Sequence, residues 1–168
     1  MVERTRMSPW GTGLLLVLAT AMAGALGGFV TNSGKDPWYG TLRKADLTPP
    51  DIVFAFVWPI LFGLMAAGAL MVLVRAGSFT RASRPLGIYF TMLMVNVAWS
   101  LFFFGLHDVP LALGILAALW LLIIATMVEF AQVSKSAAWL QAPYLAWVTF
   151  AGYLNAYVWW ANPDLSGG

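Results

Sequence analysis

The chain has 168 residues, 61% of them hydrophobic and 10% charged, against roughly 25% charged in a soluble domain. With a mean hydropathy of +0.80, this composition excludes an ordinary soluble protein and reads as a single all-α integral membrane domain over residues 1–168. The formal net charge of +2 implies no nucleic-acid partner, and the lack of cysteine excludes disulfides, thiolate metal sites and cysteine nucleophiles.

A short basic head carries Arg4 and Arg6, and Trp10 is placed to anchor at the interface. The first span is expected over about residues 11–31, free of charge and near the roughly 20 residues a crossing helix needs. The basic head, the apolar run and Ala21-x-Ala23 also fit a secretory leader, but the run is long for one, so a span is expected. Ala19, Ala23 and Gly27 recur every fourth residue, as do Gly24 and Gly28, which suits close helix packing inside the bundle better than a dimer seam.

Thr31 to Asp51 is the one long polar interruption. Lys35, Asp36, Arg43, Lys44, Asp46 and Asp51 lie in it, with Trp38 and Tyr39 at its centre. Paired aromatics argue against disorder, so this long first loop is expected to fold as a lid over the helical bundle. Pro49 and Pro50 block a helix before the second span, about 51–74, and Asp51 suits its positive end. Pro59, after Trp58, should kink it. A short basic connection with Arg81 and Arg84 leads to Pro85 and a third span at about 86–106.

In that span Asn96, Trp99 and Phe103 share one helix face. An amide in hydrocarbon must find a partner, so Asn96 faces the interior, as glue between helices or as a ligand contact. His107, Asp108 and Pro110 form a turn, with capping chemistry at the start of a fourth span over about 110–130. Glu129 at its end, near Lys135, reads as interfacial and solvated. The fifth span, about 137–161, has Pro143 to kink it near its start. Its stripe of Tyr144, Trp147, Ala151 and Asn155 is bulky, small and polar in turn.

Five spans place the termini on opposite sides. Arg4, Arg6, Arg75, Arg81, Arg84 and Lys135 fall on one side, and Lys35, Arg43 and Lys44 on the other. The positive-inside rule then puts the N-terminus in the cytoplasm, with the first loop and the C-terminus opposite. No carboxylate or base lies in mid-membrane for ion coupling. The single histidine, His107, excludes bis-histidine haem ligation within one chain. No nucleophile–base pair supports an enzyme. What remains is an aromatic interior under a lid, with Trp99 and Trp147 facing each other across the bundle. It suits a flat hydrophobic ligand; the alternative is a solid core or lipid-facing rings.

Several motifs occur in order: Trp38-Tyr39-x-x-Leu42-x-Lys44 with Pro49-Pro50, Asn96-x-x-Trp99 with Phe103-Phe104-Gly105, and Pro143-Tyr144-Leu145-x-Trp147 with Leu154-Asn155 and Asn162. Together with Trp58 and Trp120 they resemble the tryptophan-rich sensory protein and translocator protein family, also called TspO/MBR or the peripheral benzodiazepine receptor family. The resemblance covers nearly the whole chain. It implies a five-transmembrane-helix bundle, often a homodimer, with a pocket beneath the first loop for porphyrins, haem intermediates or sterols. It implies a receptor or carrier with a sensory role and no required cofactor, although a porphyrin, haem or lipid could be bound. Trp38, Trp99 and Trp147 are implied as pocket residues and Asn96 and Asn155 as polar contacts. Tyr39, Leu47, Phe103, Tyr144 and Ala151 complete the candidate set.

Leu47 stands where relatives have a tryptophan needed for light-driven porphyrin breakdown, and it has no indole to donate an electron, so that activity is not expected. Tyr157 is not followed by the basic residue of sterol-binding relatives. A second function class, a structural or assembly subunit of a larger respiratory or photosynthetic membrane complex, is also compatible with the eroded loop motif.

Overall fold

Charge-free runs bounded by capping residues give helices throughout the computed structural model, which describes residues 9–166. The expected basic head with Arg4 and Arg6, and the side chain of the expected anchor Trp10, lie outside the described residues. Helix α1 spans Pro9–Gly34. It is longer than the expected first span because the polar residues Thr31 to Gly34 continue it. The Thr31 hydroxyl donates to the Gly27 carbonyl at 2.8 Å and so meets its own need within the helix. The loop that follows holds a single short helix, α2, at Trp38–Thr41.

Helix α3, Asp51–Ala76, starts directly after Pro50 and carries Pro59 inside it. Helix α4 spans Phe79–Ser100 and continues as a π-helical turn over Leu101–Gly105. The expected connection to Pro85 is therefore helical. Ser78 caps α4 by accepting from the Arg81 amide at 3.3 Å, and Pro85 lies buried two turns in. Helix α5, Val109–Val133, is capped by Asp108, which accepts from the Leu111 amide at 3.0 Å. Glu129 is not simply solvated. It pairs with Arg84 across α4 and α5 at 2.7 Å. The expected single fifth span is broken into α6, Lys135–Trp139, and α7, Ala142–Ala161. Pro143 marks the first turn of α7 rather than a kink, because a proline is free of clash only there.

Among the described residues, four helices are long and apolar enough to cross a membrane: Gly11–Gly34, Asp51–Ala76, Phe79–Gly105 and Val109–Val133. The expected five-span bundle is carried that far. Helix α7 has 20 residues, but Pro143, Asn155 and its Trp and Tyr rings dilute its apolar character. Tyr89, Met92, Leu119, Ile123, Tyr144 and Val148 are buried at the centre. Helix α5 packs between α4 and α7, and α1 lies against α3 and α4. Ala23 and Gly27 on α1 are buried. A Cβ on Gly27 would stand 3.3 Å from the Ser100 Oγ, so this small-residue face serves packing within the chain.

Two ties hold the first loop down. The Asn162 side chain, just past α7, accepts from the Arg43 amide at 2.9 Å and donates to the Arg43 carbonyl at 3.0 Å. On the other side Trp38 stacks on His107 with ring centroids 4.0 Å apart. His107 Nε2 lies 3.0 Å from the Gly34 carbonyl oxygen. These contacts hold His107 in a left-handed backbone conformation at φ 58°.

Candidate ligand cavity

Small residues on one helix and aromatic rings on another line a common space, which Gly28 leaves open and Gly24 closes against the Phe62 ring. On α1, Thr20, Gly24 and Gly28 present small or short side chains; on α3, Phe54, Trp58 and Phe62 present rings. Between them and α4 lies a cavity of about 900 Å³. Asn96, Trp99 and Ser100 form its α4 wall, and Lys35, Tyr39 and Asp51 stand at the loop end. Nothing lies within 4 Å of a Cβ built on Gly28. Pro59 also lines the cavity, one helical turn beyond Ala55. It has no amide to offer the Ala55 carbonyl, which leaves a backbone acceptor in that wall. Lys35 and Asp51 form an ion pair that joins the end of α1 to the start of α3. Burial first, and the Asp51 carboxylate second, push the Tyr39 phenol above its ordinary range, so it stays protonated and able to donate.

Of the sequence-predicted residues, Tyr39, Asn96 and Trp99 line this cavity. Phe103 packs behind, 5.9 Å from Trp99 and 5.7 Å from Trp38 between ring centroids. Trp38 belongs to the lid contact with His107. Tyr144 is fully buried, and its hydroxyl accepts from Asn96 Nδ2 at 2.8 Å. Asn155 accepts from the Trp99 indole N–H at 3.3 Å and donates to the Val109 carbonyl at 3.0 Å. Ala151 is buried, while Leu47 is exposed and lines no part of the cavity.

Trp147 and Trp99 do not face each other directly. Trp58 stands between them, with centroids 6.2 Å from Trp99 and 6.4 Å from Trp147. The void therefore lies on the α1 side of Trp58, away from α7. The sequence signal for Trp58 was present in the Trp58-Pro59 pair at mid-span. Ser100, Phe54 and Phe62 carried no pattern that would single them out.

The Asn96–Tyr144 bond gives a direct expectation. Tyr144→Phe leaves a buried amide without its acceptor, so stability should fall by about 1–3 kcal/mol. Thermal unfolding in detergent measures it, and an unchanged midpoint would show that Asn96 finds another partner.

A family model described as the TspO/MBR family matches residues 15–161. The chain belongs to the TspO/MBR family. It is similar to the tryptophan-rich protein TspO of Chlorobaculum tepidum, 37% identical over 148 residues that cover 88% of this chain and 92% of that one. It is also similar to the translocator protein of Bos taurus, 36% identical over 155 residues covering 92% of each chain. The protein CrtK of Rhodobacter capsulatus is 36% identical over 146 residues, covering 87% of this chain and 89% of that one. Together with its four span-forming helices, membership makes this TspO/MBR chain a multi-pass integral membrane protein. Trp58, Trp99 and Asn96, at the cavity wall, all fall within the matched region.

Proposed function

We propose that the chain is a membrane receptor or carrier that binds a flat, hydrophobic ligand of tetrapyrrole type between α1, α3 and α4. One observation carries this reading: an aromatic-walled cavity of about 900 Å³ capped by Tyr39, within the size range of sites for small molecules. Rings at its wall offer flat apolar faces, and Asn96 and Ser100 supply a few polar contacts. Within this reading α7 is the fifth crossing. Its 20 residues reach about 30 Å, the thickness of the hydrocarbon core. The excess of basic residues on the other side then supports a cytoplasmic N-terminus and an outer loop. The reading is of binding without chemistry. Leu47, at the position of the missing tryptophan, is exposed and off the cavity wall.

The test is a titration with protoporphyrin IX in detergent, read by quenching of tryptophan fluorescence. Wild type should quench saturably. Gly28→Leu puts a side chain into open cavity space and should weaken binding at least about tenfold while leaving the unfolding midpoint nearly unchanged. Equal binding by both proteins would move the ligand out of this cavity.

A further inference from the structure

Helices α1 and α3 are tied to each other at two levels. Near mid-span the Phe62 ring lies on Gly24, so close that a Cβ there would stand 3.0 Å from Phe62 Cδ2. At the loop end Lys35 pairs with Asp51. Gly24 and Lys35 are eleven residues apart, as are Asp51 and Phe62, so the two ties bracket about 16 Å of each helix. The upper tie joins the two ends of the first loop.

Between the ties α1 offers Ala25, Gly28 and Asn32, and α3 offers Ile52, Ala55 and Pro59. All six line the cavity, and all six are exposed. The deep wall differs: Thr20, Asn96, Trp99 and Ser100 line the same cavity and are buried. A residue that lines a cavity and also meets the surroundings stands at its mouth. The cavity therefore opens sideways, between α1 and α3.

Both helices are long and apolar enough to cross a membrane, so this mouth faces hydrocarbon. Beside its rim in sequence, Leu26, Phe29, Phe56 and Ile60 are all more than half exposed. A polar substituent leaving through the mouth would find no partner in lipid. An aliphatic one would pass from one apolar medium to another at little cost, since lipid tails are as apolar as the side chains of the wall.

We infer that the ligand is a flat ring bearing a long aliphatic chain, with the ring in the cavity and the chain leaving between α1 and α3 into the bilayer. This rests on the cavity being the ligand site. A chain that leaves sideways takes up none of the cavity's volume of about 900 Å³, so its length is unrestricted.

The experiment compares methyl pheophorbide a with pheophytin a. They share one neutral, metal-free tetrapyrrole ring and differ in a methyl against a phytyl ester. The protein is held in lipid nanodiscs, and each ligand is expressed as a mole fraction of lipid, which removes the phytyl ester's stronger preference for lipid over water. Saturable quenching of tryptophan fluorescence reports binding. Wild type should bind the two esters within about threefold of each other. Ala55→Phe and, independently, Ala25→Phe put a ring across the mouth, and each should weaken the phytyl ester at least about tenfold more than the methyl ester. Ala67→Phe, exposed on α3 and off the cavity wall, should change neither. Wild type that binds the phytyl ester about tenfold more weakly than the methyl ester overturns the inference, as do mouth variants that treat the two esters alike. Either result leaves the cavity reading standing. Failure of wild type to bind either ester removes both.

Discussion

Gly34→Ala is expected to be the most damaging single-methyl change in the chain. A Cβ at this position would lie 1.9 Å from the Phe104 carbonyl oxygen and 2.5 Å from its carbon. Both are backbone atoms of the π-helical turn, so no side chain can swing aside. The end of α1 must therefore move, and with it the Gly34 carbonyl that meets His107 at 3.0 Å. Trp38, stacked on His107, should follow. Overpacking of this kind costs about 3 kcal/mol or more at its upper end. Gly114→Ala is the control, since nothing lies within 4 Å of its Cβ, and alanine at a helical glycine is neutral to about 1 kcal/mol stabilising. Thermal unfolding of the two variants in one detergent decides the matter. Matching midpoints would show that α1 does not approach Phe104 this closely.

Trp58→Ala should have the largest effect on binding. Trp58 lines the cavity and touches Phe62, Trp99, Tyr144 and Trp147, with centroids 5.9 to 6.4 Å away. Truncating a well-packed aromatic anchor typically costs 2 kcal/mol or more, about 30-fold in affinity. Trp147→Ala should cost only a few-fold, because Trp147 lies behind Phe54 and Trp58 and off the cavity wall. Fluorescence titration with protoporphyrin IX ranks the two. If Trp147→Ala proves the more damaging, the ligand lies on the α7 side of the bundle and the cavity beside α1 is not its site.

That ranking reverses the expectation from residue spacing, for a physical reason. Helical periodicity placed Asn96 with Trp99 on one face and Tyr144 with Asn155 on another, and both faces do turn inward. Polar groups on two inward faces can satisfy each other, and here they do. Asn96 donates to Tyr144, and Trp99 donates to Asn155. The two stripes are therefore largely a mutual interface. The void lies beside α1 where side-chain volume is missing at Gly28, whereas Gly24 packs against the Phe62 ring, and periodicity scores both only as close packing. The spans were legible because charge-free runs of this length have no other use. Their ends were less so. Thr31, Ser78 and Pro143 could each be read as loop or helix, and local hydrogen bonds or the position of the proline in its turn decided between them.

The Asn162 clamp on Arg43 joins the far end of α7 to the first loop by two hydrogen bonds to one backbone unit. Such a tie contributes no surface to the cavity, so for a ligand bound as proposed it would act on the ligand's exchange past the loop rather than on its fit. Residence time would then respond to this tie more than equilibrium affinity does. A molecule could be held for long or short periods by changes at the C-terminal edge that leave the walls of its chamber untouched.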